Sequence, residues 1–240
     1  MQSQSQHSVV ITGASRGIGR CIALTFAQKT DFALLLIARS VKGLEETKRQ
    51  CKSAGCNLIH IISCDASDAN AVAGIELPDD FPIPKVLVNN AGNFLLKKLS
   101  DTSSEEFMQQ IQANLFTAVN TTNRFLDDLI ANEQSLIVNI CSVAATEGRE
   151  ESGAYSASKH GLLGYTRSLR QELMDTKVRV TAINLGQTES TSWEDSTIDR
   201  QRLIDPADVA QLIITLTNLS SRTIIEEMNI KPQHGRVPPM

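Results

Sequence analysis

Short apolar runs rich in valine and isoleucine recur along the chain at 8–12, 32–38, 57–63, 85–89, 135–141, 178–183 and 223–230. Each run is nearly continuous in apolar residues, as a strand covered on both faces must be. Longer stretches with helical spacing separate them, at 17–30, 41–54, 104–131, 154–176 and 206–219. Strands alternating with helices predict an α/β fold. The expectation is a doubly wound parallel sheet of about seven strands with helices on both faces. No internal repeat, heptad series or long linker interrupts the pattern, so 1–240 is expected to be a single domain.

Local chemistry marks some of the boundaries. Ser103 and Glu106 have capping-box spacing. Asp205-Pro206 places proline in the first turn of the last helix. Pro78, Pro82 and Pro84 mark a loop ahead of the run at 85–89.

Composition narrows the function. Hydrophobic residues make up 41% of the 240 and charged residues 21%, with a formal net charge of −4. That balance supports a buried core and argues against a nucleic-acid binder, which would carry a basic face. Met1–Ser8 has no basic cluster, the apolar run behind it is too short for a signal peptide, and no stretch could span a membrane. A cytoplasmic enzyme is expected. The five cysteines (21, 51, 56, 64 and 141) lack metal-like spacing and read as reduced, packed thiols. The four histidines stand apart, and no metal site is expected.

The first strand runs into Gly13-Ala14-Ser15-Arg16-Gly17-Ile18-Gly19, and a helix follows. Glycines there let the backbone approach a pyrophosphate, and the helix N-terminus offers free N–H groups. Alone the spacing could be an ordinary tight turn; its place between first strand and first helix favours a Rossmann-like dinucleotide site. An NAD site usually carries an acidic residue at the end of the second strand. Here Arg39 and Ser40 stand at that point, and Arg16 adds a second cation. Two guanidiniums at one locus suit the 2′-phosphate of NADP(H); the alternative is a pair of solvated arginines.

Tyr155 and Lys159, spaced i and i+4, share a helical face. A nearby ammonium favours the phenolate, so such a pair can exchange a proton with an alcohol oxygen. The pairing is common by chance. Ser142, at the end of the strand run 135–141, adds a hydroxyl where open parallel sheets bind ligands.

Taken together, Thr12-Gly13-xxx-Gly17-Ile18-Gly19, Asn89-Asn90-Ala91-Gly92, Asn114, Ser142 and Tyr155-xxx-Lys159 resemble the short-chain dehydrogenase/reductase family in order and separation. The resemblance covers nearly the whole chain. It implies that Tyr155 donates and accepts the proton and that Lys159 binds the nicotinamide ribose and lowers the tyrosine pKa. Ser142 would orient the substrate, and Asn114 would hold a water in a relay toward Lys159. Asp65, followed by Ala66, would contact the adenine amino group, with Asn90, Ala91 and Gly92 alongside the nicotinamide ribose. The residues alone allow Asp65 to be only a turn residue and Asn114 only a mid-helix polar residue. Where the family has Pro-Gly after the sixth strand, this chain has Asn184-Leu185-Gly186. Gly186 and Thr188 are the expected contacts near the carboxamide. The C-terminal segment resembles the branch of sepiapterin reductases and 3-hydroxy-acid dehydrogenases.

The resemblance also implies a substrate lid over 187–203, followed after the last strand by a tail at 231–240. Phe94 and Trp193 are candidate apolar walls of the pocket; Trp193 could equally pack on a neighbouring helix. Arg149 reads first as an exposed arginine among acidic neighbours and second as a partner for a substrate carboxylate. The expected activity is NADP(H)-dependent interconversion of a carbonyl and a secondary alcohol. Substrates could be pterin side-chain ketones, 3-hydroxy or 3-keto acids, or 3-oxoacyl thioesters. The rival readings are a nucleotide-sugar epimerase or dehydratase and a non-catalytic NADP sensor. The partners expected are a small-molecule substrate and a second copy of the chain, in a homodimer or homotetramer formed through 104–131 and 154–176. Neither nucleic acid nor membrane is expected.

Overall fold

The computed structural model describes residues 7–194 and 196–237. The expectations for Met1–Gln6, for Asp195 within the lid and for the tail beyond Val237 lie outside the described residues. Seven strands form one sheet: β1 (Ser8–Thr12), β2 (Ala33–Ala38), β3 (Ile59–Ser63), β4 (Pro84–Asn89), β5 (Ser135–Ser142), β6 (Val178–Leu185) and β7 (Glu227–Ile230). Their spatial order is β3-β2-β1-β4-β5-β6-β7, and every pairing is parallel. The order reverses between β1 and β4. The crevice beyond their carboxyl ends is where such sheets bind ligands.

Among the described residues seven α-helices surround the sheet: α1 (Gly17–Lys29), α2 (Val41–Ser53), α3 (Ala69–Ala73), α4 (Ser104–Ile111), α5 (Thr117–Ile130), α6 (Gly153–Glu172) and α7 (Pro206–Asn218). Alternate strand residues enter opposite cores, because successive side chains on a strand point to opposite faces. Val9, Ile11, Leu34 and Leu36 pack with Phe26 of α1, Leu44 of α2 and Ile213 of α7. Val10, Leu35, Ile37 and Leu87 pack with Phe125 and Leu129 of α5 and Leu169 of α6. Both faces are covered, which explains the near-continuous apolar runs.

Ser103 and Glu106 form the expected capping box on α4, and Asp205 caps α7 ahead of Pro206. The expected helix at 104–131 is divided. A π-helical turn, Gln112–Phe116, separates α4 from α5 and contains the buried Asn114. Such turns rotate the following face and concentrate at functional sites. The expected strand at 223–230 shortens to Glu227–Ile230, because pairing with β6 begins only at Ala182↔Glu227. Residues 223–226 lie ahead of that ladder; there Ile225 is 37% exposed, and its carbonyl accepts from the Thr181 hydroxyl at 2.8 Å. Helix α6 ends at Glu172 rather than at 176. The short α3, capped by Asp68, has too few turns to show in the sequence pattern.

Candidate active site

The glycine turn is held from below. Gly13 and Gly17 adopt φ of +67° and +56°, which side-chain-bearing residues rarely reach. A Cβ on Gly19 would lie 2.3 Å from the Gly13 carbonyl oxygen, so the turn closes only with glycine there. The Asn90 amide donates to the Thr12 carbonyl at 3.0 Å. The Thr12 hydroxyl accepts from the backbone N–H of Asn90 and of Ala91, each at 3.0 Å. Asn90 therefore buttresses the turn as well as bordering the cleft described below.

Helix α1 has no side-chain cap and no acidic residue in its first turn. Helices α5 and α6 also lack a side-chain cap, whereas serine or aspartate side chains cap α2, α3, α4 and α7. The first N–H groups of α1 are thus left for an anion. The start of α2 lies against this turn: a Cβ on Gly43 would meet Ser15 Cβ at 2.8 Å and Ser40 Oγ at 3.2 Å. Ser15 and Ser40 are consequently neighbours, and Arg16 and Arg39, each next in sequence to one of them, are exposed. Arg39 Nη1 reaches Asp65 at 3.9 Å across an exposed pair, and Arg16 has no ion pair among the described residues. The open amides and two accessible guanidiniums fit a pyrophosphate and a 2′-phosphate.

Asp65 accepts from the Ser67 backbone N–H at 3.0 Å and from its hydroxyl at 2.7 Å. Those bonds hold its carboxyl below the usual range, with Arg39 assisting. Asn120 clamps the same turn by donating to the Ala66 and Ser67 carbonyls, each at 3.1 Å.

A single cleft gathers Ile18, Asn90 and Gly92 with Asn114, Ser142, Tyr155 and Lys159, and Gly186, Thr188, Phe94 and Trp193 also line it. The other predicted cofactor residues (Gly13, Ser15, Arg16, Gly17, Gly19, Arg39, Ser40, Asp65, Ala66 and Ala91) lie outside that cleft, on the turns that follow β1 to β4 and, for Gly17 and Gly19, in the first turn of α1. Ser142 ends β5, and its hydroxyl accepts from Ala144 N–H at 3.1 Å. Burial pushes the Tyr155 phenol up, while the Ser142 hydroxyl and, more weakly, Arg149 draw it down. Burial also pushes the Lys159 ammonium down, to about 8. Phe94 meets the Tyr155 ring edge-on, with centroids 4.9 Å apart. Beneath the site, the Cys141 thiol is pushed up to about 11 by burial and stays neutral.

Asn114 links the cleft walls. Its Nδ2 donates to the Gln110 carbonyl at 3.1 Å, and its Oδ1 accepts from Asn93 N–H at 3.2 Å. A Cβ on Gly92 would fall 2.5 Å from that oxygen. Gly186 N–H donates to the Ile230 carbonyl at 2.8 Å, and a Cβ there would meet Pro232 at 3.0 Å. The rigidity lost with the missing proline at 185 is offset by this clamp. The Thr188 hydroxyl is turned to the Gly186 carbonyl at 3.1 Å. Trp193 is buried with Leu203 and Val237 while still lining the cleft, so it packs against lid and tail rather than on a helix.

Sequence reading missed two supports. Arg20 donates through Nε to the Thr47 hydroxyl at 3.0 Å and through Nη2 to the Ser15 carbonyl, and Thr47 donates to the Ala14 carbonyl at 2.9 Å. Asn89 and Asn139 are direct partners across β4 and β5. Their amides join at 2.8 Å and reach Thr122, Thr121 and Thr166 on α5 and α6. The available signal was an asparagine inside an apolar strand, at Val138-Asn139-Ile140. Arg149 also departs from the exposed reading: its side chain is only 18% exposed and it lines the cleft.

Among the described residues, no three of His, Cys, Asp and Glu converge to hold a metal. A family model described as short chain dehydrogenase matches residues 7–201. The chain is 31% identical to a sepiapterin reductase of Chlorobaculum tepidum, over 97% of this chain and 98% of that protein. It is 26% identical to an NADP-dependent 3-hydroxy acid dehydrogenase of Schizosaccharomyces pombe, over 95% and 93%. Among solved structures, an alcohol dehydrogenase from the archaeon Thermococcus sibiricus complexed with 5-hydroxy-NADP superposes with a TM-score of 0.86 at 28% identity, covering 97% of this chain and 99% of that one.

Proposed function

The chain belongs to the short chain dehydrogenase family and is an NADP-dependent oxidoreductase; from that premise we propose that it interconverts a small carbonyl compound and its secondary alcohol, with Tyr155 as general acid and base. The observation that carries this reading is the meeting of Ser142, Tyr155, Lys159 and Asn114 in one cleft beside Ile18 of the glycine turn. The open N-terminus of α1 holds the pyrophosphate, and Arg16, Arg39 and Ser40 hold the 2′-phosphate. Asp65, Asn90, Ala91, Gly92, Gly186 and Thr188 border the remaining cofactor.

When bound, the nicotinamide supplies or accepts the hydride. Ser142 holds the substrate oxygen by a hydrogen bond that strengthens as negative charge develops there. Tyr155 gives that oxygen its proton in reduction and takes it back in oxidation. General acid–base help of this kind is worth about 10²–10⁴ in rate. Lys159 holds the ribose and keeps positive charge near the phenol. Asn114 orders the 90–93 loop and a water that returns protons toward Lys159. Phe94 and Trp193 exclude solvent from the reacting carbon.

We read 1–240 as one domain, with 187–203 as lid. The exposed Met108 and Phe116, on α4 and the π turn, favour a homodimer or homotetramer formed through α4, α5 and α6. A light-scattering mass of one subunit would count against it. The five unpaired thiols favour a cytoplasmic location; among the described residues no helix is long and apolar enough to cross a membrane. The test is NADPH oxidation followed across sepiapterin, diketones, β-keto acids, β-keto esters and aldehydes, repeated with NADH. Turnover of at least one carbonyl with preference for NADPH is expected. No turnover with any of them would count against the reading.

A further inference from the structure

Arg149 lies in the loop between β5 and α6, which joins Ser142 to Tyr155. The loop is built rather than slack. The Ser156 hydroxyl donates to the Ala144 carbonyl at 2.8 Å and the Glu147 carbonyl at 3.1 Å. Glu151 is held at a φ of 59°, in the left-handed region, a strain that tends to accompany functional loops. Within this frame Arg149 lines the cleft, and its Nε is buried with no hydrogen-bond partner among the described residues. An unmet donor of that kind is costly, more so on a charged group.

The local charge is incompletely answered. Arg149 pairs with Glu147 at 3.3 Å, and Lys231 approaches the same carboxylate at 3.7 Å. One carboxylate thus serves two cations. Arg236, in the segment after β7, lines the same cleft and has no ion pair among the described residues. Among the described residues Glu150 is the one carboxylate lining the cleft, and it is exposed.

We propose that Arg149, assisted by Arg236, is a specificity-determining residue that pairs with a carboxylate on the substrate. The preferred substrate is then a small oxo acid or hydroxy acid rather than a neutral ketone. A guanidinium fork matches a carboxylate in two parallel N–H···O bonds, and partial burial strengthens them. Fixing the acid end at Arg149 would orient the carbonyl toward Ser142 and Tyr155. The inference rests on the oxidoreductase reading for the chemistry, while carboxylate recognition is a statement about binding alone.

Trp193 is the only tryptophan and lines the cleft, so its fluorescence reports occupancy. The full chain, saturated with NADP⁺ so that no ketone is reduced, is titrated with acetoacetate and with methyl acetoacetate, with calorimetry as a second readout. Acetoacetate is expected to bind roughly tenfold tighter or better. Arg149→Gln should bring acid and ester within about twofold, Arg149→Lys should restore part of the preference, and Arg236→Gln should fall between. Unchanged thermal unfolding of Arg149→Gln would show that the fold is intact. Equal binding of acid and ester, tighter binding of the ester, no binding of the acid, or a preference that survives Arg149→Gln would each overturn the proposal. Acid that binds selectively but is not reduced by NADPH leaves the proposal standing and counts against the oxidoreductase reading. An ester that is reduced while the acid fails to bind does the reverse.

Discussion

Lys159 Nζ donates to the Ile140 carbonyl at 2.9 Å, tying α6 to β5 beneath Tyr155. The bond holds an ammonium that is only 5% exposed. Burial moves its pKa from an ordinary 10.5 to about 8. Between those values the unfolded chain binds a proton that the folded chain does not, so stability rises with pH across that window. Below the folded value both states carry the proton, and the penalty reaches its full size of about 3 kcal/mol. The stability of the parent relative to Lys159→Met should therefore improve between pH 7 and pH 10.5, by up to about 3 kcal/mol. Urea unfolding at several pH values measures this, and a gap that does not move with pH would contradict it.

Thr47 is fully buried and stands between Arg20 and the glycine turn. Thr47→Val keeps its shape but leaves Arg20 Nε and the Ala14 carbonyl without that hydroxyl. We expect a loss of about 1–3 kcal/mol, or several degrees of Tm in a chain of this size, together with weaker NADPH binding. Differential scanning calorimetry and a binding titration would report both; a stable variant with weakened binding would move Thr47 from scaffold to cofactor contact.

Arg16 and Arg39 are the residues proposed to carry the choice of cofactor. Charge-assisted bonds contribute about 1.5–3 kcal/mol each, so Arg16→Gln and Arg39→Gln should each raise KM for NADPH by roughly 10–100-fold. KM for NADH should stay within about twofold, since NADH lacks the phosphate they are proposed to meet. Equal losses with both cofactors would assign the arginines to the shape of the turn instead.

Asn114 is argued to act partly through its neighbours. Asn114→Ala frees Asn93 N–H and loosens the 90–93 loop. The expected result is a fall in kcat of about 10–100-fold, with KM for NADPH little changed. A change confined to KM would place the residue in cofactor binding.

Much of this was legible because parallel strands buried on both faces write themselves as unbroken apolar runs. Strands β1 to β6 fall within two residues of their expected limits. The glycine turn and the Ser142, Tyr155 and Lys159 set were legible because each needs a particular residue type at a fixed spacing. The π turn at Gln112–Phe116 was not, since one extra residue per turn hardly alters the average periodicity of a long amphipathic stretch. The Arg20–Thr47 link joins residues of two helices, and no periodicity within either one points to it. Arg149 was misjudged because its acidic neighbours suggested solvent, whereas its side chain is only 18% exposed in a loop that Ser156 fastens.

The central claim is that Tyr155 moves the proton. The most direct measurement compares kcat for NADPH-dependent carbonyl reduction in the parent and in Tyr155→Phe, with NADPH binding followed separately by fluorescence. The account predicts that turnover falls by about 10²–10⁴ while NADPH affinity stays within about threefold. A Tyr155→Phe protein that reduces the same carbonyl at the parental rate would contradict it.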